Sequence, residues 1–222
     1  MKKFPVCLIG LNQKRCLVIG GGSVAWRKIA ALSEAGAAVI VIAPQVLPEI
    51  RAGIEGGGIE WLQRDYQPGD LEGAFLVISA TDDAGVNRSV WEEAEQRGCL
   101  VNVVDDPARS NFILPAVVRR GELSIAISTG GASPALARRL RESLEETYGP
   151  EYGELAEILA ELRPELLARF EAGRPRLQAA LDLIDSDLLQ VIREHGTDAG
   201  RAYARSRWKE LDGSEESPSS FA

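Results

Sequence analysis

The run Cys16-Leu-Val-Ile-Gly-Gly-Gly-Ser-Val-Ala-Trp-Arg-Lys28 constrains this chain more than any other stretch. A short apolar strand enters a glycine turn, and the turn opens directly into a helix. Gly20, Gly22 and Ala25 satisfy the spacing G-x-G-x-x-[G/A]. In that pattern the first glycine permits the tight turn, and the second lets the backbone approach a pyrophosphate. The small third residue lets helix and strand pack closely. Phosphates at such a turn meet unpaired N–H groups and the positive end of the helix dipole. The same turn also occurs for purely structural reasons, so the rest of the chain decides between a nucleotide site and a plain strand–helix junction.

The first half of the sequence repeats the strand–helix alternation. Arg15–Ile19, Ala38–Ala43, Ala74–Ser79 and Cys99–Val104 read as buried strands, and Ile59–Gln63 alternates like an edge strand. Helices are predicted over Val24–Ala35, with Gly36 as its stop, and over Asp83–Arg97, with Gly98 just past its end. Pro44–Ala52 suggests a turn and a short helix. Apolar strands separated by helices imply a parallel sheet covered on both faces. The pattern then changes. Phe112–Arg119 and Glu122–Ser128 form a hairpin signal around Arg119-Arg-Gly-Glu122. Ser133–Glu146 reads as a helix, with Ser133 as N-cap and Pro134 at its first position. Past Gly149-Pro150 come helical segments over Tyr152–Phe170, Pro175–Asp182, Ser186–Glu194 and Thr197–Leu211. The expected fold is α/β. A Rossmann-like parallel-sheet domain occupies 1–112, a small hairpin-plus-helix region 113–149 and an all-helical domain 150–212. A serine-rich tail at 213–222 is expected to be disordered.

Composition narrows the function. The 222-residue chain carries a net charge of −8, which argues against sequence-independent binding of nucleic acid. No apolar run is long enough to cross a membrane, and the start, Met1-Lys-Lys-Phe-Pro5, leads into too short an apolar stretch for a secretory signal. A cytoplasmic protein is the expectation. The cysteines, Cys7, Cys16 and Cys99, are odd in number and lack a C-x-x-C pair, against a disulfide framework or a zinc site. Cys16 and Cys99 enter apolar strands and read as buried thiols. His195 lies in a polar helical tail, which argues against a triad built on it. Arg109, Arg119, Arg120, Arg138, Arg139 and Arg141 crowd one central stretch. They read either as solvated faces or as receivers for a polyanionic small molecule.

In open α/β sheets ligands sit outside the carboxyl ends of the strands. The second strand ends Ile42-Ala43-Pro44-Gln45, with no acid before Glu49 to bond a ribose hydroxyl. That leaves NAD against NADP open, and the lack of a basic residue there favours NAD. Three further strand ends line the expected crevice: Ser79-Ala-Thr-Asp-Asp83, Asn102-Val-Val-Asp-Asp106 and Ser128-Thr-Gly-Gly131. Thr81 falls on the nucleotide side. Asp82 reads best as a helix cap. Asp105 and Asp106 read equally as a turn before Pro107 or as carboxylates facing the crevice. Thr129-Gly-Gly-Ala-Ser-Pro134 reads as a plain loop or an anion-binding turn.

Taken in order, Phe4-Pro-Val, the Gly20–Lys28 run, Ala80-Thr-Asp-Asp83 with Asn87, Asn102-Val-Val-Asp105, Phe112-Ile-Leu-Pro115 and Ile127-Ser-Thr-Gly-Gly-Ala-Ser-Pro134 resemble the precorrin-2 dehydrogenase family. This is the N-terminal module of siroheme synthases, some of whose members are also sirohydrochlorin ferrochelatases. The resemblance extends to about Gly149; the helical tail matches only in character. It implies NAD-dependent oxidation of precorrin-2 to sirohydrochlorin, in a homodimer joined through the 113–149 region. Insertion of Fe2+ in the same site stays open, and no dedicated metal cluster is implied. The family's key aspartate falls on Asp105. Its NAD contacts fall on Gly20, Gly22, Ser23 and Val24, and on Pro44 and Gln45, so the missing ribose acid agrees with the family. The serine that some members phosphorylate is replaced by Thr129, with Ser128 beside it. Candidate substrate contacts are Asn102, Arg109, Phe112, Thr129 and Arg138, facing a substrate with eight carboxylates. With no methyltransferase segment in the sequence, methylation of uroporphyrinogen is expected from another protein. The competing class is a non-catalytic, dimeric NAD-binding regulatory domain. That reading uses the glycine turn but has no role for Asn102–Asp105 or Thr129–Pro134.

Overall fold

The computed structural model describes residues 4–211, so the tail expected at 213–222 lies outside the described residues. The chain divides into two units between Leu114 and Pro115. The first unit is a five-stranded parallel sheet of β1 (Arg15–Ile19), β2 (Ala38–Ile42), β3 (Ile59–Leu62), β4 (Leu76–Ser79) and β5 (Leu100–Val103), in the order β3-β2-β1-β4-β5. Helices α1 (Ser23–Glu34), α2 (Pro48–Glu55) and α3 (Ala84–Arg97) form three of the four crossovers, and the loop 63–75 connects β3 to β4. This is the Rossmann-like arrangement expected from the sequence, with β3 at an edge.

Both faces of the sheet are covered, and strand alternation explains why its sequences read as continuous apolar runs. Cys16, Val18, Val39, Val41, Leu76 and Ile78 pack with Ala25 and Ile29 of α1 and Ile50 of α2. Leu17, Ile19, Ile40, Ile42, Val77, Val101 and Val103 pack with Val90 and Ala94 of α3. Cys16 and Cys99 are buried thiols; burial pushes Cys16 up to about 11, with the Cys99 sulfur adding to the shift. Gly98 ends α3 in the left-handed region at φ 65°, as the helix-stop reading requires. The open edge of β5 is closed by Asn111. Its side-chain amide accepts from Val101 N–H at 2.8 Å and donates to Cys99 C=O at 2.9 Å.

In the second unit β6 (Ala116–Arg120) and β7 (Leu123–Ile127) form the predicted antiparallel hairpin, followed by α4 (Pro134–Thr147). Ser133 caps α4 by accepting from Leu136 N–H at 3.2 Å. Helices α5 (Glu151–Arg169), α6 (Arg174–Ile184), α7 (Leu188–His195) and α8 (Thr197–Leu211) enclose an apolar cluster of Ile158, Leu162, Leu183, Leu188, Ile192 and Trp208. No helix among the described residues is long and apolar enough to cross a membrane.

Candidate active site

The glycine turn sits at the carboxyl end of β1, where the sheet order reverses between β2 and β4. Gly20 has φ 120° and donates its N–H to Ile42 C=O at 2.9 Å. A Cβ there would overlap the carbonyl oxygen of Ala80. Gly21 lies as tightly under the carbonyl oxygen of Gln45. Gly22 is different: a Cβ on it would meet nothing within 4 Å. Gly22 is also the N-cap of α1, and no side chain caps that helix. The first amides of α1 therefore open onto free space, the arrangement that accepts an anion. Ala25 is fully buried beneath them. Packing within the protein demands Gly20 and Gly21, whereas Gly22 keeps the approach from outside open. The G-x-G-x-x-A pattern passes over Gly21; its contact with the β2–α2 loop is tertiary.

In front of the turn lies a cleft of about 440 Å³. Gly20, Gly22, Ser23, Val24, Pro44, Gln45 and Thr81, the residues placed on the nucleotide side by sequence, all line it. Its β4 wall is held from below. The fully buried Ser79 donates to Asn87 Oδ1 at 2.6 Å, and Asn87 Nδ2 donates to Thr81 C=O at 3.0 Å. This is the work of Asn87 in the Ala80–Asp83 motif. The helix cap predicted for Asp82 is instead Asp83, which accepts from Gly85 and Val86 N–H at 2.7 and 3.0 Å. Asp83 stands immediately before the first helical residue, the position from which a side chain reaches the free amides. Sequence reasoning missed Val86 of α3, and also Asp65 and Tyr66, which enter from the loop after β3.

Asp105 lies two residues beyond the end of β5, on the same carboxyl edge of the sheet but outside the walls of the cleft. Val104 N–H donates to Ser79 C=O at 2.9 Å, tying this turn to β4. Ser110 Oγ accepts from Val103 N–H at 3.0 Å and donates to Asp106 C=O at 2.9 Å. Asp106 takes the turn role weighed for the pair. It caps the 3-10 turn Pro107–Arg109 and pairs with Arg109 Nη1 at 2.5 Å. The Arg109 guanidinium holds the Asp106 carboxyl below its usual range. Asp105 takes neither role. Its side chain is exposed and its backbone has φ 59°, a left-handed conformation that costs a non-glycine residue about 1 kcal/mol. Lys28 of α1 faces it electrostatically: burial pushes the ammonium down, Arg27 adds to this, and Asp105 opposes both.

Asn102 Nδ2 donates to Phe112 C=O at 3.0 Å, and the Phe112 ring packs on the apolar layer under α1 and α2. These two candidate substrate residues are therefore joined to each other, while Arg109 is paired with Asp106. Thr129 and Arg138 belong to the second unit. The Thr129 hydroxyl accepts from Ser133 N–H at 3.0 Å and donates to Ser133 C=O at 3.1 Å, closing the loop before α4. Arg138 pairs with Glu142 at 2.8 Å across one exposed helical turn. His195 is exposed at the end of α7. No group of three or more His, Cys, Asp or Glu among the described residues could hold a metal ion.

Comparisons with known proteins agree with this layout. Residues 7–116 match an NAD(P)-binding family model, and residues 120–147 match the model of the central part of sirohaem biosynthesis proteins. Siroheme synthase of Methylobacillus flagellatus is 43% identical over 176 residues, 79% of this chain and 38% of the relative. That of Chromobacterium violaceum is 40% identical over 207 residues, 93% of this chain and 44% of the relative. The chain thus spans less than half the length of these curated relatives. Among solved structures, SirC, a precorrin-2 dehydrogenase, superposes with a TM-score of 0.70 at 31% identity, covering 95% of this chain and all of that one. On full-length coverage of SirC and on the two family models in order, the chain belongs to the precorrin-2 dehydrogenase family of siroheme biosynthesis.

Proposed function

We propose that this chain oxidises precorrin-2 to sirohydrochlorin with NAD. The observation that carries the reading is Asp105. Its exposed carboxylate is held in a left-handed turn at the carboxyl edge of β5, beside a nucleotide-sized cleft. The cleft fits NAD on its own terms: the α1 amides lack a side-chain cap and the space before Gly22 is open. When bound there, NAD supplies the hydride acceptor.

The protein's share of the reaction is binding and proton handling. Loss of a hydride from the macrocycle leaves a proton to be removed, and the Asp105 carboxylate is the base for it. The Asp105 charge in turn supports the Lys28 ammonium on α1. The α1 amides and the Thr81 turn hold the nucleotide. Arg109, Arg138, Thr129, Asn102 and Phe112 are the proposed substrate contacts. The unpaired donors of Arg109 are the natural receivers for acetate and propionate arms. Insertion of Fe2+ belongs to the same proposal, with Asp105 taking protons from the macrocycle nitrogens as the metal enters. A cytoplasmic homodimer completes it. The exposed Leu136 and Leu140 of α4, one helical turn apart, support an apolar contact between copies.

The test is direct. Purified protein is mixed with precorrin-2 and NAD, and the absorbance of sirohydrochlorin is followed. Product formation that depends on NAD supports the reading, and none under any nucleotide condition sinks it. Adding Fe2+ to sirohydrochlorin then tests the chelatase, and light scattering after gel filtration tests the dimer.

A further inference from the structure

In Rossmann sites an acid at the end of the second strand bonds the adenosine ribose and rejects a 2′-phosphate. Here β2 ends at Ala43-Pro44-Gln45 with no acid. The structure brings one in from elsewhere. Asp65 lies past the end of β3, the neighbour of β2, is exposed, and stands with Gln45 among the residues lining the cleft. We infer that Asp65 is the residue that makes this site choose NAD over NADP, in place of the absent acid on β2. The inference rests on the nucleotide reading of the cleft given above.

Three observations support it. The loop carrying Asp65 is pinned on both sides of that residue. Arg64 forms a two-pronged pair with Asp70 at 2.7 and 2.8 Å and also donates to Asp65 C=O at 3.0 Å. Tyr66 donates its hydroxyl to Glu93 of α3, which also accepts from Gly69 N–H at 2.9 Å. Trp61 Nε1 donates to Ala43 C=O at 2.9 Å, so the ends of β2 and β3 are joined. A loop this braced holds the Asp65 backbone in place at the wall of the cleft.

The second observation is the charge of the cleft. Its walls contain Asp65, Asp82 and Asp83, and no Lys or Arg among the described residues that line it. A 2′-phosphate would enter with nearly two negative charges and no counter-charge. The third concerns the one cation close in sequence. Arg64 could otherwise receive a phosphate, but its guanidinium is committed to Asp70 and to a backbone carbonyl. Arg51, the other basic residue near this edge, is stacked on Trp61 at 5.1 Å. A carboxylate at hydrogen-bond reach of a ribose diol accepts from both hydroxyls, whereas the same carboxylate repels a phosphate ester.

The experiment titrates the full chain with NADH and with NADPH, reading nucleotide fluorescence, for the native protein and for Asp65→Asn and Asp65→Ser. The native protein is expected to bind NADH at least tenfold more tightly. Both variants are expected to narrow that ratio by about tenfold, mainly through tighter NADPH binding, the scale of one removed charge near the surface. Added salt should narrow the native ratio as well. Equal affinities in the native protein, or an unchanged ratio in both variants, overturn the inference while leaving nucleotide binding intact. Binding of neither nucleotide overturns the nucleotide reading, and the role of Asp65 with it.

Discussion

Gly21 lies so close beneath the carbonyl oxygen of Gln45 that a methyl group on it would overlap that atom. Leu47 N–H donates back to Gly21 C=O at 3.0 Å, so the contact joins the β1–α1 turn to the β2–α2 loop. Gly21→Ala must push these backbones apart, at a cost of about 1–3 kcal/mol. Gly22→Ala meets only open space and should change stability by less than about 1 kcal/mol. Gly22→Val fills the approach to the α1 amides. Thermal melts should therefore separate Gly21→Ala from both Gly22 variants. Nucleotide titration should single out Gly22→Val with a tenfold or greater loss of affinity.

Asp105 allows a second separation, between its backbone and its carboxylate. Asn tolerates the left-handed region nearly as well as Asp, so Asp105→Asn should fold with native stability. It should bind NAD normally and lose turnover by about 10²-fold or more, the usual scale for a lost general base. Asp105→Val is a different experiment. A β-branched residue at φ 59° adds about 1–2 kcal/mol of strain, visible in melts. Turnover of Asp105→Asn near the native rate would remove the carboxylate from the mechanism.

Elements that follow from local rules are legible in the amino-acid sequence. The bounds of β1 match residue for residue, because a strand buried on both faces reads as one apolar run, here Cys16–Ile19 behind Arg15. The Ser133 cap, the Gly98 stop and the hairpin at Arg119–Glu122 are likewise local chemistry. The expected span Pro44–Ala52 differs from α2 for a local reason too: Pro48 starts the helix and Gly56–Gly58 ends it. Asp65 is illegible in the sequence because its meaning comes from pairing of β3 with β2. The same holds for Gly21, whose partner is on another loop. The arginine cluster carries a signal that spacing alone contains. Arg138 and Arg141 each meet a glutamate four residues on, at Glu142 and Glu145, so much of that charge is paired along α4.

Glu93 makes a pH-dependent prediction. Burial alone would raise its carboxyl. The Tyr66 hydroxyl, Gly69 N–H, Arg97 and Leu71 N–H outweigh that and hold it below its ordinary value of 4.5. A carboxyl with a depressed folded pKa stabilises the fold above its unfolded pKa, and the contribution disappears as pH falls through the folded value. Glu93→Gln should be less stable than the native protein at pH 7, by about 1–3 kcal/mol, because it weakens the bonds that brace the β3 loop. The gap should close as pH falls below 4.5 and through the depressed folded value. Asp70, whose carboxyl Arg64 also holds down, keeps part of the native acid dependence in the variant. Chemical unfolding across that range checks both limbs. A gap that does not depend on pH would mean that Glu93 is held by shape and not by charge.

Arg120 separates structural arginine from substrate-binding arginine. Its guanidinium donates to Tyr148 C=O at 2.8 Å and Glu145 C=O at 3.0 Å, two carbonyls at the end of α4 that the helix itself leaves without donors. Behind it, Gly153 of α5 approaches so closely that a Cβ there would lie 2.8 Å from the Arg120 backbone. The side chain thus clamps the hairpin to the α4 terminus. Arg120→Met keeps the stem and removes the donors, and should cost about 1–3 kcal/mol. Arg120→Lys should recover only part of this, since one ammonium does not reproduce a planar fork. Arg138→Ala, by contrast, loses one exposed helical pair and should change stability by no more than about 0.5 kcal/mol. If Arg138 holds a carboxylate arm, that variant raises KM for precorrin-2 with its melting temperature unchanged, a combination Arg120→Met cannot produce.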